Sequence, residues 1–368
     1  QKIGIEVSYR REGIHPADRI VVTNYKRLHY FNPEDFQGVV CDESSILKNF
    51  DGATRKAITE FMRTRPYRLL CTATAAPNDY IELGTSSEAL GYLGYSDMVS
   101  VFFKKTGKTL SRKDERRSGV FQLRGHAERD FWRWVCSWAR AMRKPSDLGY
   151  GDGTFVLPDL TYRDHVVESR TLRDGYLFDI PAIGLSEQRA DLSRTVEERC
   201  EMAAELINSH NNPAVAWCNL NSEGKSLARM IPDGIEICGN DSDEKKEEVF
   251  IAFARGNVRV IITKPTIAGF GLNWQHCAHQ TFFPSHSYEQ FYQCVRRSWR
   301  FGQSNPVTVD VITTRGQEDV LNNLNRKADQ ANRMFTNLVQ LMWQELRIEH
   351  KSEFTKKEEI PTWLLKTK

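Results

Sequence analysis

No stretch of the 368 residues approaches eighteen consecutive apolar positions, which excludes a transmembrane helix of the usual length, and no signal peptide is visible at the start. None of the eight cysteines belongs to a Cys-x-x-Cys pair, so they read as scattered core thiols of an intracellular protein. His276-Cys277-Ala278-His279 reads as a turn into a strand rather than a metal clip, because no second ligand pair is nearby. No segment repeats at 20–50 residues, which excludes a solenoid. The phosphate loop Gly-x-x-x-x-Gly-Lys-Ser/Thr is also missing. Thr106-Gly107-Lys108-Thr109 imitates its end, but Phe102 stands five positions before Gly107.

What is present is ordinary in bulk and uneven in detail. At 40% apolar and 27% charged, the composition is that of a globular chain long enough for two or three domains. The net charge of +3 hides an imbalance: residues 101–150 hold thirteen Lys and Arg against five Asp and Glu. A basic segment in an otherwise acidic chain is the footprint of phosphate-backbone binding; the other reading is a solvated charged insert. Phe131, Trp134, Val135, Trp138 and Met142 recur at helical spacing, predicting a helix over 127–142 whose stripe is core. Trp132 falls off that stripe and is expected to be exposed or stacked.

Two short runs carry the chemistry. Gly38-Val39-Val40-Cys41 reads as a strand delivering Asp42 and Glu43 to its carboxyl end, where open α/β sheets place their reactive groups. Paired carboxylates there suit a magnesium nucleotide, one orienting the ion's water shell and the other polarising the attacking water. About 250 residues later, a helix predicted over Ser287–Trp299 carries Gln293 and Arg297, with Arg300 one turn on.

Together these runs resemble the two halves of the ATPase site of superfamily 2 helicases and translocases, within them the Swi/Snf-like branch and its phage-type relatives. Thr72-Ala73-Thr74 resembles the family's third motif. Ile262-Thr263-Lys264 through Gly269-Phe270-Gly271-Leu272-Asn273 resembles the fifth, and Val22-Thr23-Asn24-Tyr25 a first-lobe nucleic-acid motif. The resemblance implies ATP and Mg2+ as cofactors, with Asp42 the metal-side residue and Glu43, Gln293, Arg297 and Arg300 catalytic. Thr72, Thr74, Gly269, Gly271 and Asn273 would couple hydrolysis to movement. Thr23, Asn24 and Thr263, with Lys104, Lys105, Arg112 and Lys113 of the basic segment, would meet nucleic acid. The implied activity is that of an ATP-dependent translocase or helicase on duplex DNA, working as a two-lobed clamp in the cytoplasm of a bacterial or phage-infected cell. Since every such motor needs the missing loop, the upstream part of the same gene product is expected to supply it, and the fragment alone to be inactive. Phage replication or defence proteins are further expected partners. A non-catalytic DNA-binding scaffold derived from a decayed motor, and the motor subunit of a restriction or defence complex, are the alternatives. Ser44 and Ser45 replace the commoner Ala-His, removing an imidazole that in relatives touches the third motif.

The expected architecture is α/β, with two RecA-like doubly wound parallel-sheet lobes, the first incomplete, and a helical basic insert. Residues 1–100 form the partial first lobe, 101–150 the insert, 151–170 a Gly- and Pro-bearing linker, 171–315 the second lobe and 316–368 a C-terminal helix with a charged tail. First-lobe strands are expected near 20–23, 37–42 and 68–71. The second lobe should hold five, near 214–219, 235–238, 258–263, 279–283 and 307–313, alternating with helices. Asp241 and Glu244 read as a capping-box start. A final helix over 317–345 carries Phe335, Leu338, Met342 and Leu346 on one stripe, while Trp363, Leu364 and Leu365 could anchor the tail.

Overall fold

The computed structural model describes residues 5–49, 52–76, 78–106, 120–170, 185–269 and 271–346. Gly107-Lys108-Thr109, Arg112, Lys113, Phe270, Trp363, Leu364 and Leu365 lie outside them. The chain divides into two compact units, Gln1–Gly151 with Ala331–Lys368, and Asp152–Gln330.

Unit 1 opens with a parallel pair, β1 (Val7–Tyr9) and β2 (Ile20–Val22). A second parallel pair follows, β3 (Gly38–Cys41) and β4 (Tyr67–Leu70), with α1 (Ala53–Arg63) between them in sequence. Helix α1 buries Ile58, Phe61 and Met62, spaced three and four apart so that they share a face. Ile58 and Met62 join Cys41, Leu47 and Ala89 in one cluster. Then come α2 (Leu83–Leu90), ended by Gly91 at φ +84, and α3 (Tyr95–Phe102). The basic segment also contains an antiparallel hairpin, β5 (Phe103–Thr106) with β6 (Val120–Leu123), before α4 (Glu128–Trp138).

Helix α4 departs from expectation twice. It stops at Trp138, where Ala139 turns extended and the Arg140 guanidinium satisfies the freed carbonyls of Cys136 and Ala139. Met142 therefore lies beyond it and is exposed. Trp132, expected at the surface, is fully buried with Phe131, Val135 and Cys136, so the apolar face is rotated from the sequence stripe. The cause is a second packing partner: Met334, Leu338 and Met342 belong to the same cluster. These three come from the final helix, whose stripe centres on Met334 rather than on the half-buried Phe335.

Unit 2 is a six-stranded, all-parallel sheet, one strand more than expected. In chain order the elements are β7 (Leu160–Val167), α5 (Leu185–Arg194), α6 (Val196–Asn208), β8 (Ala214–Trp217), α7 (Asn221–Met230) and β9 (Gly234–Ile237). There follow α8 (Asp243–Ala254), β10 (Val260–Thr263), α9 (Pro265–Ala268), β11 (His279–Phe282), α10 (Tyr288–Ser298), β12 (Val307–Thr314) and the start of α11 (Glu318–Leu346), whose residues from Ala331 onward belong to unit 1. Sheet order is β7-β12-β11-β8-β10-β9. Strands β8 and β10 are buried at every residue, as continuous apolar runs in a parallel sheet require. The added strand β7 is an edge partner of β12 that buries only Val167, so its pattern is faint, and the sequence assigned it to the linker. The cap of α8 is Ser242, whose hydroxyl accepts from Lys245 N at 3.2 Å, while Asp241 accepts from Cys238 N. No described helix is long and apolar enough to cross a membrane.

Candidate functional site

On unit 1, β3 ends at Cys41 and hands the chain to Asp42, which is exposed, and Glu43, which is half-buried. Cys71 N donates to Cys41 O at 2.8 Å and Ser44 N to Cys71 O at 2.9 Å. The carboxylate pair is thereby tied to the residue just before Thr72-Ala73-Thr74. Among the described residues Glu43 is the only non-glycine with positive φ (49°, with ψ 47°). That left-handed geometry costs about 1–2 kcal/mol and is tolerated where the surroundings fix it. Asp42 Oδ1 accepts from Glu43 N at 3.0 Å, and the Tyr25 hydroxyl donates to the Asp42 carbonyl. Burial pushes the Tyr25 phenol and the Cys41 thiol upward, the thiol to about 11, so both stay protonated beside the pair.

Thr72 Oγ1 accepts from Thr74 N at 3.1 Å, closing a short turn. The hydroxyls of Thr74 and Thr23 are buried with no hydrogen-bond partner. Asn24 is exposed, at the head of a 3-10 turn over Tyr25–Tyr30. Lys104 and Lys105 are exposed on β5.

On unit 2, Ser287 caps α10, its hydroxyl accepting from Gln290 N at 3.3 Å. Gln293 and Arg297 are buried on the helix, and Arg300 is half-buried just beyond it. Arg297 donates to Gln293 O and to Leu272 O, both at 3.0 Å, and Arg300 reaches the same Leu272 carbonyl at 3.2 Å. Trp274 N returns a bond to Arg297 O at 2.8 Å. The two arginines and the Gly271–Asn273 loop are thus one connected structure.

The glycines of that loop serve different ends. A Cβ on Gly269 would meet Pro265 O at 2.3 Å, whereas Gly271 has open space but sits at φ +72. Asn273 is exposed. Thr263, expected to meet nucleic acid, is fully buried, and its hydroxyl donates to Ile237 O at 3.0 Å. That side chain is committed to the sheet. Sequence reasoning quoted Tyr25 without giving it a role and missed the Leu272 carbonyl altogether. A backbone acceptor leaves no mark in a sequence.

The donor set fits a magnesium nucleotide in part. An exposed carboxylate pair at a strand end suits the ion and its water. A phosphate cradle is the part that these residues do not provide.

No family model matches the sequence, and no curated protein matches it. Solved structures do match. S. cerevisiae Dbp5 bound to RNA and ADP BeF3 aligns over 91% of this chain and 74% of its own, at TM-score 0.51 and 11% identity. The shared fold is mixed α/β with RecA-like lobes. The parallel sheet and flanking helices of unit 2 match a RecA-like lobe. The C-terminal part of the Fun30 ATPase domain aligns over 42% of this chain at TM-score 0.32 and 12% identity. Mycobacterium smegmatis helicase Lhr bound to ssDNA and AMP-PNP aligns over 90% at TM-score 0.47 and 11% identity. This chain spans 58% of the Fun30 structure and 37% of Lhr.

Proposed function

We propose that the chain is the helicase-core portion of a nucleic-acid-dependent ATPase that moves along duplex DNA, of the Swi/Snf-like branch and phage type. The observation that carries this reading is the Asp42–Glu43 pair at the end of β3, with Asp42 exposed, the half-buried Glu43 held left-handed and the Asp42 carbonyl fixed by Tyr25. A strained acidic residue beside an exposed carboxylate suits a general base for water. Dbp5 was solved with RNA and ADP BeF3, which agrees with ATP and nucleic acid as ligands here.

Bound Mg2+ would neutralise phosphate charge and lower the pKa of water. Asp42 would orient the ion's water shell, and Glu43 would take the proton of the attacking water. Arg297 and Arg300, preorganised on Leu272 O, carry the positive charge for a phosphoryl group. Thr72 and Thr74, one strand-end hydrogen bond from the carboxylates, and the Gly269–Asn273 loop, bonded to the arginines, transmit the change. Thr23 and Asn24, with Lys104, Lys105, Arg112 and Lys113, hold the DNA backbone.

The phosphate loop comes from a further segment or polypeptide that completes unit 1. In support, β3 and β4 leave Val40 (65%), Leu69 (53%) and Tyr67 (60%) exposed, whereas parallel strands are ordinarily covered on both faces. A non-catalytic scaffold is the second reading, favoured by the absence of the loop from these residues. The deciding measurement is ATP turnover of Glu43→Gln in the protein carrying a phosphate loop. Turnover should vanish while nucleotide binding survives, and a rate within threefold of wild type would refute the assignment.

A further inference from the structure

Within unit 1 a cavity of about 350 Å³, at the small end for ligand pockets, is lined from α4 by Glu128, Arg129 and Trp132 and from α11 by Asn337, Gln340 and Gln344. The three carboxamides stand three and four residues apart, so α11 turns them to one side. The side chains of Glu128, Arg129, Asn337, Gln340 and Gln344 form no hydrogen bond or ion pair with other described residues. Trp132 lies in the wall of the same cavity, where its ring can report what enters. It is 2% exposed, and its indole N–H is buried without an acceptor. Tyr80 edge-on at 4.9 Å and Phe131, also at 4.9 Å, hold the ring, so the donor is not free to turn elsewhere. A buried donor left unpaired is destabilising unless something supplies an acceptor.

The chemistry of the lining defines that partner. Carboxamides present a donor and an acceptor side by side, the pattern that pairs with the edges of nucleobases, and a carboxylate accepts from an exocyclic amine. One guanidinium matches the single charge of a phosphodiester better than the several charges of a free nucleoside polyphosphate. We infer that this cavity holds one unpaired nucleotide of a nucleic-acid strand, its phosphate on Arg129 and its base edge on the α11 carboxamides. The inference rests on the proposed binding of nucleic acid, and adds a base-reading station at α4 and α11 to the motif residues.

The test is a 15N indole spectrum of the whole 368-residue chain, with the Trp132 resonance assigned by Trp132→Phe, titrated with a mixed-sequence single-stranded 12-mer and separately with mononucleotides. Fluorescence anisotropy of the same 12-mer runs in parallel. The strand should move the Trp132 resonance at concentrations where mononucleotides do not. Gln340→Ala should weaken strand binding about tenfold, and Arg129→Gln should reduce the log–log salt slope by about 0.7, the value for one phosphate on a single strand. Both residues are exposed, so neither change threatens folding. Strand binding that leaves Trp132 unmoved would overturn the site while sparing the nucleic-acid reading; no strand binding would likewise overturn the site, and only failure to bind a duplex of the same sequence as well would overturn both. Equal shifts from mononucleotide and strand would overturn the strand assignment.

Discussion

Arg297 and Arg300 carry the same expected role but should differ sharply when removed. Arg297 is 8% exposed and makes charge-assisted bonds to Gln293 O and Leu272 O, whereas Arg300 is half-buried and reaches Leu272 O at 3.2 Å. A bond from a charged group contributes about 1.5–3 kcal/mol. Because either arginine alone still satisfies Leu272 O, Arg297→Ala should lose at least its bond to Gln293 O and its packing, about 2–3 kcal/mol. Arg300→Ala should lose less than about 1 kcal/mol, since its guanidinium is partly solvated. The double variant orphans the Leu272 carbonyl, so its cost should exceed the sum by about 1 kcal/mol. Native-state hydrogen exchange of peptides covering α10 reads the local opening energy directly. Strict additivity, or an Arg300→Ala loss as large as that of Arg297→Ala, would refute the shared-acceptor argument. The practical consequence is that Arg300→Ala is the cleaner kinetic test of an arginine finger, because Arg297→Ala also loosens the helix that bears it.

The 368 residues alone should hydrolyse no ATP and bind it weakly at best; micromolar affinity by calorimetry would show that the phosphate-loop reading of the sequence is mistaken. Gly269→Ala should lower the thermal midpoint more than Gly271→Ala, since the first drives a Cβ to 2.3 Å from Pro265 O and the second costs only the left-handed penalty of about 1 kcal/mol. Scanning calorimetry with the reverse order would count against the geometry of this loop. Thiol labelling should begin at Cys71 and Cys238, the two partly exposed cysteines, while Cys218 and Cys277, pushed up to about 12 and 11 by burial, react only on unfolding. Asp241 is held at about 2, first by its hydrogen bond with Lys245 and then by Cys238 N. Because its folded pKa lies below the unfolded one, its stabilisation is complete above about pH 4 and lost as pH falls toward 2, so Asp241→Asn should flatten acid unfolding in that window.

The strand before Asp42, the helix bearing Arg297 and the parallel character of unit 2 were legible because each rests on a local pattern: an apolar run ending in carboxylates, a serine cap, strands alternating with helices. What remained hidden depended on partners distant in the chain. Trp132 read as exposed because a helical stripe assumes one packing partner, and α11, some 200 residues later, supplies another. Strand β7 was invisible because an edge position requires little burial. Thr263 sat in a motif that the sequence assigns to nucleic acid, yet the adjacent β9 carbonyl takes its hydroxyl. The sequence by itself determined which residues carry charge and where most of the buried strands and the amphipathic helices lie, since periodicity is a property of neighbours. Only the tertiary structure decided which of those side chains are spent on internal hydrogen bonds, because a buried donor takes whatever acceptor the fold places within 3 Å of it.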